Sequence, residues 1–176
     1  MQALGHMWMG FVLLFTNRAA QGIVECDHAL ELDRNLAAAH SCIGLAKVYL
    51  GHAEETEDQI REALRLSPHD TYASAWMNFA GLAKLYLGNY EDAVTWFRSA
   101  IEANRNYPQL HFQLAAALAQ LGKLDEARSE VGAGLALNPT FTISRVRAGA
   151  TSDNATLVAQ RERLFEGLRK AGVPEQ

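Results

Sequence analysis

The sequence predicts an all-α fold, a right-handed solenoid built from antiparallel helix pairs. Helix-forming residues (Ala, Leu, Glu, Arg and Gln) dominate the chain, and runs of β-branched residues are almost absent. The same sequence markers also return about every 34 residues, which is typical of repeat architectures. The 176 residues are 49% hydrophobic and 20% charged, so the chain has enough apolar surface for one domain or a short repeat array.

Three independent markers define the repeats. A small residue recurs in the first helix of each predicted pair, at Gly10, Gly44, Gly81 and Ala115. A turn residue follows it, at Asn17, Gly51, Gly88 and Gly122. A second small residue, followed by an aliphatic one, recurs near the end of the second helix, at Ala29, Ala63, Ala100 and Gly134. All three sets have the spacings 34, 37 and 34, so they share one phase and one insertion of three residues.

A period of 34 with these markers resembles the tetratricopeptide repeat, in which pairs of antiparallel helices stack on their neighbours. In the fourth repeat, Ala115 leaves room for the second helix, Gly122 ends the first helix and Pro139 ends the second. We expect four repeats within residues 1–139, at about 3–36, 37–70, 74–107 and 108–139. The insertion falls in residues 69–74, where it should lengthen the loop or add a turn to the helix that follows.

Residues 140–176 lose the period and are predicted to form a short helix and an amphipathic capping helix. We expect the short helix at 141–147, a turn at 149–153 and the long helix at 154–171, with Ser152 or Asp153 as its N-cap. Gly172 and Pro174 should end it. Such a helix would bury the open face of the last repeat, as solubility of a solenoid requires. The sequence leaves open whether it lies in the concave groove instead.

Four segments are similar to the tetratricopeptide region at the C-terminus of bacterial class III adenylate/guanylate cyclases. They are residues 66–70 (LSPHD), 114–122 (LAAALAQLG), 138–142 (NPTFT) and 167–175 (GLRKAGVPE). The resemblance implies a regulatory or scaffolding part of a larger bacterial signalling protein. It implies no cyclase activity, because the catalytic domain and its paired aspartates are not in this sequence.

Composition excludes several function classes. A net charge of -4 argues against nucleic-acid binding, although residues 145–176 carry a charge of +2 and could lie against the acidic body. Cys26 and Cys42 are too few for a disulfide framework, so we expect reduced core thiols in a cytoplasmic protein. The apolar stretch at 3–15 is shorter than the roughly 20 residues that cross a bilayer, so no membrane segment is predicted.

No motif for catalysis or for cofactor binding is present, so we expect neither an enzyme nor a cofactor. His6, His40 and His111 occupy one repeat position and are the most tempting metal ligands. Neighbouring repeats would separate them by about 10 Å, far more than a shared zinc ion allows. We therefore expect no metal site and interpret these histidines as packing between the two helices of each repeat.

The first helices of successive repeats line a concave surface in such solenoids. The phase predicts partner-binding positions at Phe11, Phe15, Leu45, Tyr49, Asn78, Leu82, Tyr86, Phe112 and Gln120. This lining is apolar and aromatic, whereas eukaryotic chaperone-binding arrays clamp a peptide carboxylate with Lys, Arg and Asn, of which only Asn78 is present. The pattern disfavours a carboxylate clamp and favours a groove for a helix or an extended apolar peptide. Simple packing of Tyr49 and Tyr86 between neighbouring first helices remains an alternative.

An apolar surface of this size should be covered by the C-terminal helix, by a second copy of the chain or by a partner domain. The chain also enters an apolar helix directly after Met1, as expected for a piece of a longer protein or for an end that a second copy buries. The first hypothesis is a non-catalytic protein-interaction module. The alternative is a self-association module that forms a homodimer.

Overall fold

The structure is a computed structural model that describes residues 1–149 and 152–176. Its α-helices are α1 (Gln2–Phe15), α2 (Ala19–Leu32), α3 (Ala37–Tyr49), α4 (Thr56–Leu66), α5 (Ala73–Leu87), α6 (Tyr90–Ala103), α7 (Pro108–Gln120), α8 (Leu124–Leu137), α9 (Ile143–Ala148) and α10 (Ala155–Ala171). A 3₁₀ turn, Ala53–Glu55, precedes α4. No strand occurs among the described residues, so the all-α prediction is confirmed. None of the described helices combines the length and the apolar character that crossing a membrane needs.

The helices pack as four pairs, α1–α2, α3–α4, α5–α6 and α7–α8. In each pair the small residue of the first helix lies where the second helix approaches most closely. A Cβ added at Gly81 would lie 2.5 Å from the ring of Phe97, and one at Gly44 would lie 3.1 Å from Ile60. The small residues at Gly10, Gly44 and Gly81 therefore have a structural reason, which is the close contact between the helices of a pair.

The predicted turn residues all have left-handed backbone conformations. Their φ angles are 60° at Asn17, 81° at Gly51, 85° at Gly88 and 76° at Gly122. Glycine adopts this conformation without a Cβ penalty, and Asn is the residue that tolerates it next best. The sequence period and the backbone geometry therefore agree at every repeat turn.

The three inserted residues are shared between the loop and the helix. The connection from α4 to α5 spans residues 67–72, whereas the connections before α3 and α7 span only 33–36 and 104–107. Helix α5 has 15 residues, and α3 and α7 have 13 each. The predicted lengthening of the loop therefore occurs, whereas α5 is longer by two residues, which is less than a full turn.

Both cysteines are buried and free, as the prediction of core thiols requires. A hydrogen bond with Cys26, together with burial, raises the pKa of the Cys42 thiol well above its usual range. The thiol is therefore neutral at physiological pH and unreactive in the folded chain.

The C-terminal segment begins differently from the prediction. The expected caps Ser152 and Asp153 are wrong, because the side chain of Asn154 caps α10 and accepts a hydrogen bond from the Leu157 amide at 3.0 Å. Ser152 instead donates its hydroxyl to the carbonyl of Tyr49 at 3.1 Å. Two residues of the turn expected at 149–153, residues 150 and 151, lie outside the described part of the chain. Gly172, with φ 89°, ends α10 as predicted.

Helix α10 lies across the concave side of the repeats. The first helices contact one another in the order α1–α3–α5–α7, which makes them the inner layer, and α10 packs chiefly against α7 and then α5. Its contact with α8 is smaller, so α10 does not mainly extend the stack as an end cap. At Gly167, helix α10 lies so close to α7 that an added Cβ would be 2.5 Å from the carbonyl oxygen of Ala116. The fold thus places the chain's own helix α10 in the groove.

Candidate functional site

A cavity of about 610 Å³ remains between the inner helices and the C-terminal segment. This volume lies within the range of sites that bind small molecules or short peptide segments. Each wall comes from a different element: α3 provides Tyr49, α5 provides Leu82, α7 provides Gln113, α9 provides Arg145 and α10 provides Arg161. The cavity is therefore a composite of the repeats and of the segment that follows them.

The cavity has an apolar floor and an accessible rim. Leu45 and Leu157 on the floor are 3% and 1% exposed, so they are held rigidly by the core beneath them. Phe15 and Tyr107 on the rim are 53% and 37% exposed, and Arg145 is also exposed. A ligand can reach the floor past these rim residues, and burial of its apolar groups there is favourable.

Two buried carboxamides in the cavity are unpaired. The side chains of Asn78 and Gln113 are only 4% and 7% exposed, and their oxygen atoms accept no hydrogen bond from the described residues. An unsatisfied buried polar group costs about 1–3 kcal/mol of stability, and most folded proteins avoid it. The fold therefore leaves both oxygens without a donor among the described residues, and a ligand in the cavity can reach them only when the side chains turn toward it.

The cavity is cationic. Arg145 and Arg161 are the only charged side chains among the described residues that line it. Arg145 donates to the carbonyl of Thr140 at 3.0 Å, and Arg161 donates to the carbonyl of Ser152 at 3.3 Å. Neither guanidinium forms a salt bridge with a carboxylate within the described residues. Both positive charges are consequently available to a ligand.

Tyr86 forms a neutral part of the wall. Burial raises the pKa of its phenol to about 12, although the nearby charge of Arg161 opposes this shift. Its backbone carbonyl accepts a hydrogen bond from Arg163 at 2.5 Å, which ties α10 to the end of α5. Tyr86 therefore shapes and closes the cavity without ionising at physiological pH.

Six of the nine predicted partner-binding residues line the cavity. They are Phe15, Leu45, Tyr49, Asn78, Leu82 and Tyr86. The other three lie elsewhere. Phe11 is half-buried against the core that α1, α2 and α3 share, with its ring 6.2 Å from that of Trp8. Gln120 is paired with α10, donating to the carbonyl of Arg163 at 2.8 Å and accepting from Lys170 at 2.9 Å.

The placement of Phe112 in the groove is wrong. Its ring is stacked on Phe141, with 3.6 Å between the ring centroids, and it also packs against Gly134 of α8. The next residue, Gln113, lines the cavity instead. One residue corresponds to a rotation of about 100° around a helix, so a small error in the inward direction exchanges these two side chains.

The sequence reasoning missed Gln113, Arg145 and Arg161. The two arginines follow the last repeat, so the repeat phase carries no information about them. The signal that could have found them is the excess positive charge of residues 145–176, which was expected to lie against the acidic body.

The three aligned histidines connect the helices of their own repeats. His6 contacts Glu25 at 2.7 Å, His40 contacts Gln59 at 2.9 Å and His111 contacts Glu130 at 2.7 Å. The partner lies 19 residues later in each case. His28 brings a third possible ligand atom within 4.8 Å of those of His6 and Glu25. A contact like that of His6 with Glu25 recurs in other repeats, which indicates packing between the two helices of a repeat.

Comparison with known families supports the repeat assignment. A family model described as "TPR repeat" matches residues 81–122, which extend from the small residue of α5 to the turn after α7. No curated protein matches the sequence.

Solved structures show the same fold over nearly the whole chain. YrrB, described as a TPR protein with an unusual peptide-binding site, has 25% sequence identity and a TM-score of 0.65, over 96% of this chain and 84% of that one. TTC0263, a thermophilic TPR protein of Thermus thermophilus, has 18% identity and a TM-score of 0.68, over 96% and 89%. MamA has 17% identity and a TM-score of 0.66, over 92% and 91%. The chain is thus similar to tetratricopeptide solenoids throughout.

Proposed function

We propose that this tetratricopeptide-type solenoid is a non-catalytic protein-interaction module that binds an extended peptide segment of a partner. The observation that supports it most is the cavity, whose lining joins the carboxamide side chains of Asn78 and Gln113, with their unpaired oxygens, to an apolar floor. A peptide main chain offers N–H and C=O groups for the amides, and its side chains offer apolar groups for the floor. Since the repeats hold this site in place, binding costs little ordering of the protein itself.

The chemistry of the lining supports a binding role over catalysis. No His, Cys, Ser, Asp or Glu is among the described residues that line the cavity. Nucleophilic catalysis and general acid–base catalysis draw mainly on these residue types.

The position of α10 favours an extended ligand over a helical one. Helix α10 already occupies the inner surface of α7 and part of α5, where a partner helix would have to lie. The carbonyls of Tyr49 and Leu50 hold its N-terminal end through Ser152 and Asn154. The space that remains suits a short segment of chain.

A phage-displayed library of random dodecapeptides tests this proposal. We expect the full chain to enrich a defined set of peptides, and the variant Leu82→Asp to lose them because a charge then stands in the apolar wall. Val24→Asp is the matched control, since Val24 is 51% exposed on α2 and does not line the cavity. Recovery of the same peptides by Leu82→Asp, with both variants folded by circular dichroism, would contradict the proposal.

Self-association is the second candidate function, and the open end of the stack supports it. Leu4, Trp8 and Val12 of α1 are 48%, 56% and 57% exposed and follow one another at four-residue intervals on one face. At the equivalent positions of α3, Cys42 and Ala46 are fully buried, and α3 packs against α1 and α2. The same face of α1 is thus suited to a further helix pair, such as one from a second copy.

Sedimentation equilibrium at high protein concentration tests this candidate. We expect a homodimer for the wild type and a monomer for Trp8→Glu. Replacing Tyr49 and Tyr86 with Ala should leave the dimer intact, because they line the cavity and not this face. A wild type that stays monomeric contradicts the candidate without affecting the peptide-binding proposal.

We also propose that the module is a regulatory or scaffolding part of a larger bacterial signalling protein, such as a class III cyclase, and acts in the cytoplasm. The resemblance of residues 66–70 and 138–142 supports the first statement, and the buried thiols Cys26 and Cys42 support the second. Sequencing of the coding region upstream of Met1 tests it. An in-frame cyclase domain is the expected result, and an unrelated gene or an in-frame stop codon contradicts it.

A further inference from the structure

We infer that the ligand segment is acidic: an extended peptide with a carboxylate that binds between Arg145 and Arg161. This inference rests on the proposed function and adds the chemical class of the ligand. It differs from the expectation from the repeat sequence, in which an apolar and aromatic lining disfavours a carboxylate clamp. The repeats contribute no charged side chain to the cavity, whereas the C-terminal segment contributes two.

Arg145 and Arg161 belong to the half of the twelve arginines that form no salt bridge among the described residues. Six others form salt bridges at 3.2 Å or less: Arg61, Arg65, Arg98, Arg128, Arg147 and Arg169. The chain has 20 acidic residues for 16 basic ones, so carboxylates are abundant. None of them lines the cavity among the described residues, and the two guanidiniums there donate only to backbone carbonyls.

The salt bridge between Arg147 and Glu162 lies directly beside the two arginines that have none. Arg147 and Glu162 join α9 to α10 through two hydrogen bonds at 3.0 and 3.2 Å. Arg145 lies two residues before Arg147, and Arg161 lies directly before Glu162. The salt bridge thus fixes the two helices together, while the adjacent arginines face the cavity from both of them.

The amides and the arginines together specify the ligand. Asn78 and Gln113 each supply a donor and an acceptor, which a peptide main chain matches and a bare inorganic anion does not. The arginines match a carboxylate, and guanidinium–carboxylate bonds are about twice as strong as neutral hydrogen bonds. Leu45, Leu82 and Leu157 of the wall and floor then favour apolar residues beside the acidic one.

A library of N-acetylated random hexapeptides, screened against the full chain, tests the inference. One half of the library is amidated at the C-terminus, and the other half carries a free carboxylate. If a side-chain carboxylate binds, Asp or Glu should be enriched over Asn and Gln in the amidated half. If a terminal carboxylate binds, the free-acid half should be enriched over the amidated half. Either result supports an acidic ligand, and the comparison identifies its source.

The peptide that binds best is then compared with its amide counterpart, in which Asn, Gln or a C-terminal amide replaces the acid. The affinity of each peptide is measured for the wild type and for an arginine variant, as in a double-mutant cycle. We expect the acidic peptide to bind the wild type at least tenfold more tightly than the amide peptide. The variant carrying both Arg145→Gln and Arg161→Gln should bind the two equally. Arg34→Gln is the control, because Arg34 is exposed in the loop before α3 and does not line the cavity.

The outcomes separate this inference from the proposed function. The inference is overturned if the enriched peptides are apolar and carry no acid. It is also overturned if the variant with both Arg145→Gln and Arg161→Gln still prefers the acidic peptide. Either result leaves a peptide-binding module. Failure of every peptide to bind overturns both. Competition by inorganic phosphate at equal concentration also overturns it, since a simple anion would then be the better ligand.

Discussion

Polar groups between packed helices of the repeats are paired, whereas two carboxamides that line the cavity have oxygens without a partner among the described residues. His111 contacts Glu130 at 2.7 Å, and Lys84 contacts Glu57 at 2.5 Å, so these buried or half-buried groups are paired. Asn78 and Gln113 are more deeply buried than these groups, yet their oxygens have no partner among the described residues.

This difference indicates which groups serve stability and which serve binding. A paired polar group stabilises the packed helices, whereas an unpaired one lowers stability until a ligand completes it. Functional sites commonly carry such a cost, because selection maintains function above a stability threshold and not maximal stability.

The largest effect is expected at the contact that closes the cavity. Gly167→Val should destabilise the chain by about 3 kcal/mol, because the new side chain meets the backbone of Ala116 and forces α10 away from α7. Urea unfolding measures this change. Gly132→Ala on α8 is the control, since nothing lies within 4 Å of its added Cβ, and it should stabilise the chain by about 0.5–1 kcal/mol. Equal effects of the two substitutions would contradict the position of α10.

The next largest effect on the free energy of unfolding is expected at a paired polar group. His111→Leu should cost about 2 kcal/mol, because it leaves Glu130 and the carbonyl of Arg105 without their hydrogen bonds. Urea unfolding at pH 7 again provides the measurement. A neutral or stabilising result would show that the pairs between helices do not contribute to stability.

Asn78→Leu is expected to have the opposite sign. Removing an unpaired buried carboxamide should raise the free energy of unfolding by about 1 kcal/mol, while affinity for the selected peptides falls. Thermal unfolding and fluorescence anisotropy measure the two quantities on the same sample. A loss of both stability and affinity would mean that Asn78 serves the fold.

The smallest effect is a pH dependence of the paired groups. Burial alone raises the pKa of Glu57, but hydrogen bonds from Lys84 and Arg61 outweigh it and lower the pKa below its usual range. A carboxylate with a depressed folded pKa stabilises the protein above its unfolded pKa of about 4.3, and this contribution is lost as the pH falls through the folded value. Glu57→Gln should therefore lose less stability than the wild type between pH 6 and pH 3. Parallel losses in urea titrations would contradict this.

The repeat architecture was predictable because the same packing and turn requirements apply in every repeat. Close contact of two helices requires a small residue at Gly44 and Gly81, and a left-handed turn favours glycine at Gly51 and Gly88. These requirements act within one helix pair, so they leave a period in the sequence. The all-α solenoid follows from that period alone.

The cavity was only partly predictable because it depends on contacts between distant segments. An amphipathic helix with Leu157, Leu164 and Leu168 on one face could cover either the end of the stack or the groove, and its pattern does not distinguish them. Gln113 differs from the predicted Phe112 by one helix position. Arg145 and Arg161 reach the cavity only because α9 and α10 fold back.

The central claim is that partners bind where the polar groups are unpaired, between the repeats and α10. Hydrogen exchange with and without the selected peptide, followed by mass spectrometry, tests it most directly. The account predicts new protection in residues 75–86, 109–113 and 157–164, with α2 and α4 unchanged. Protection confined to α1 or α2, with no change in these three ranges, would contradict it.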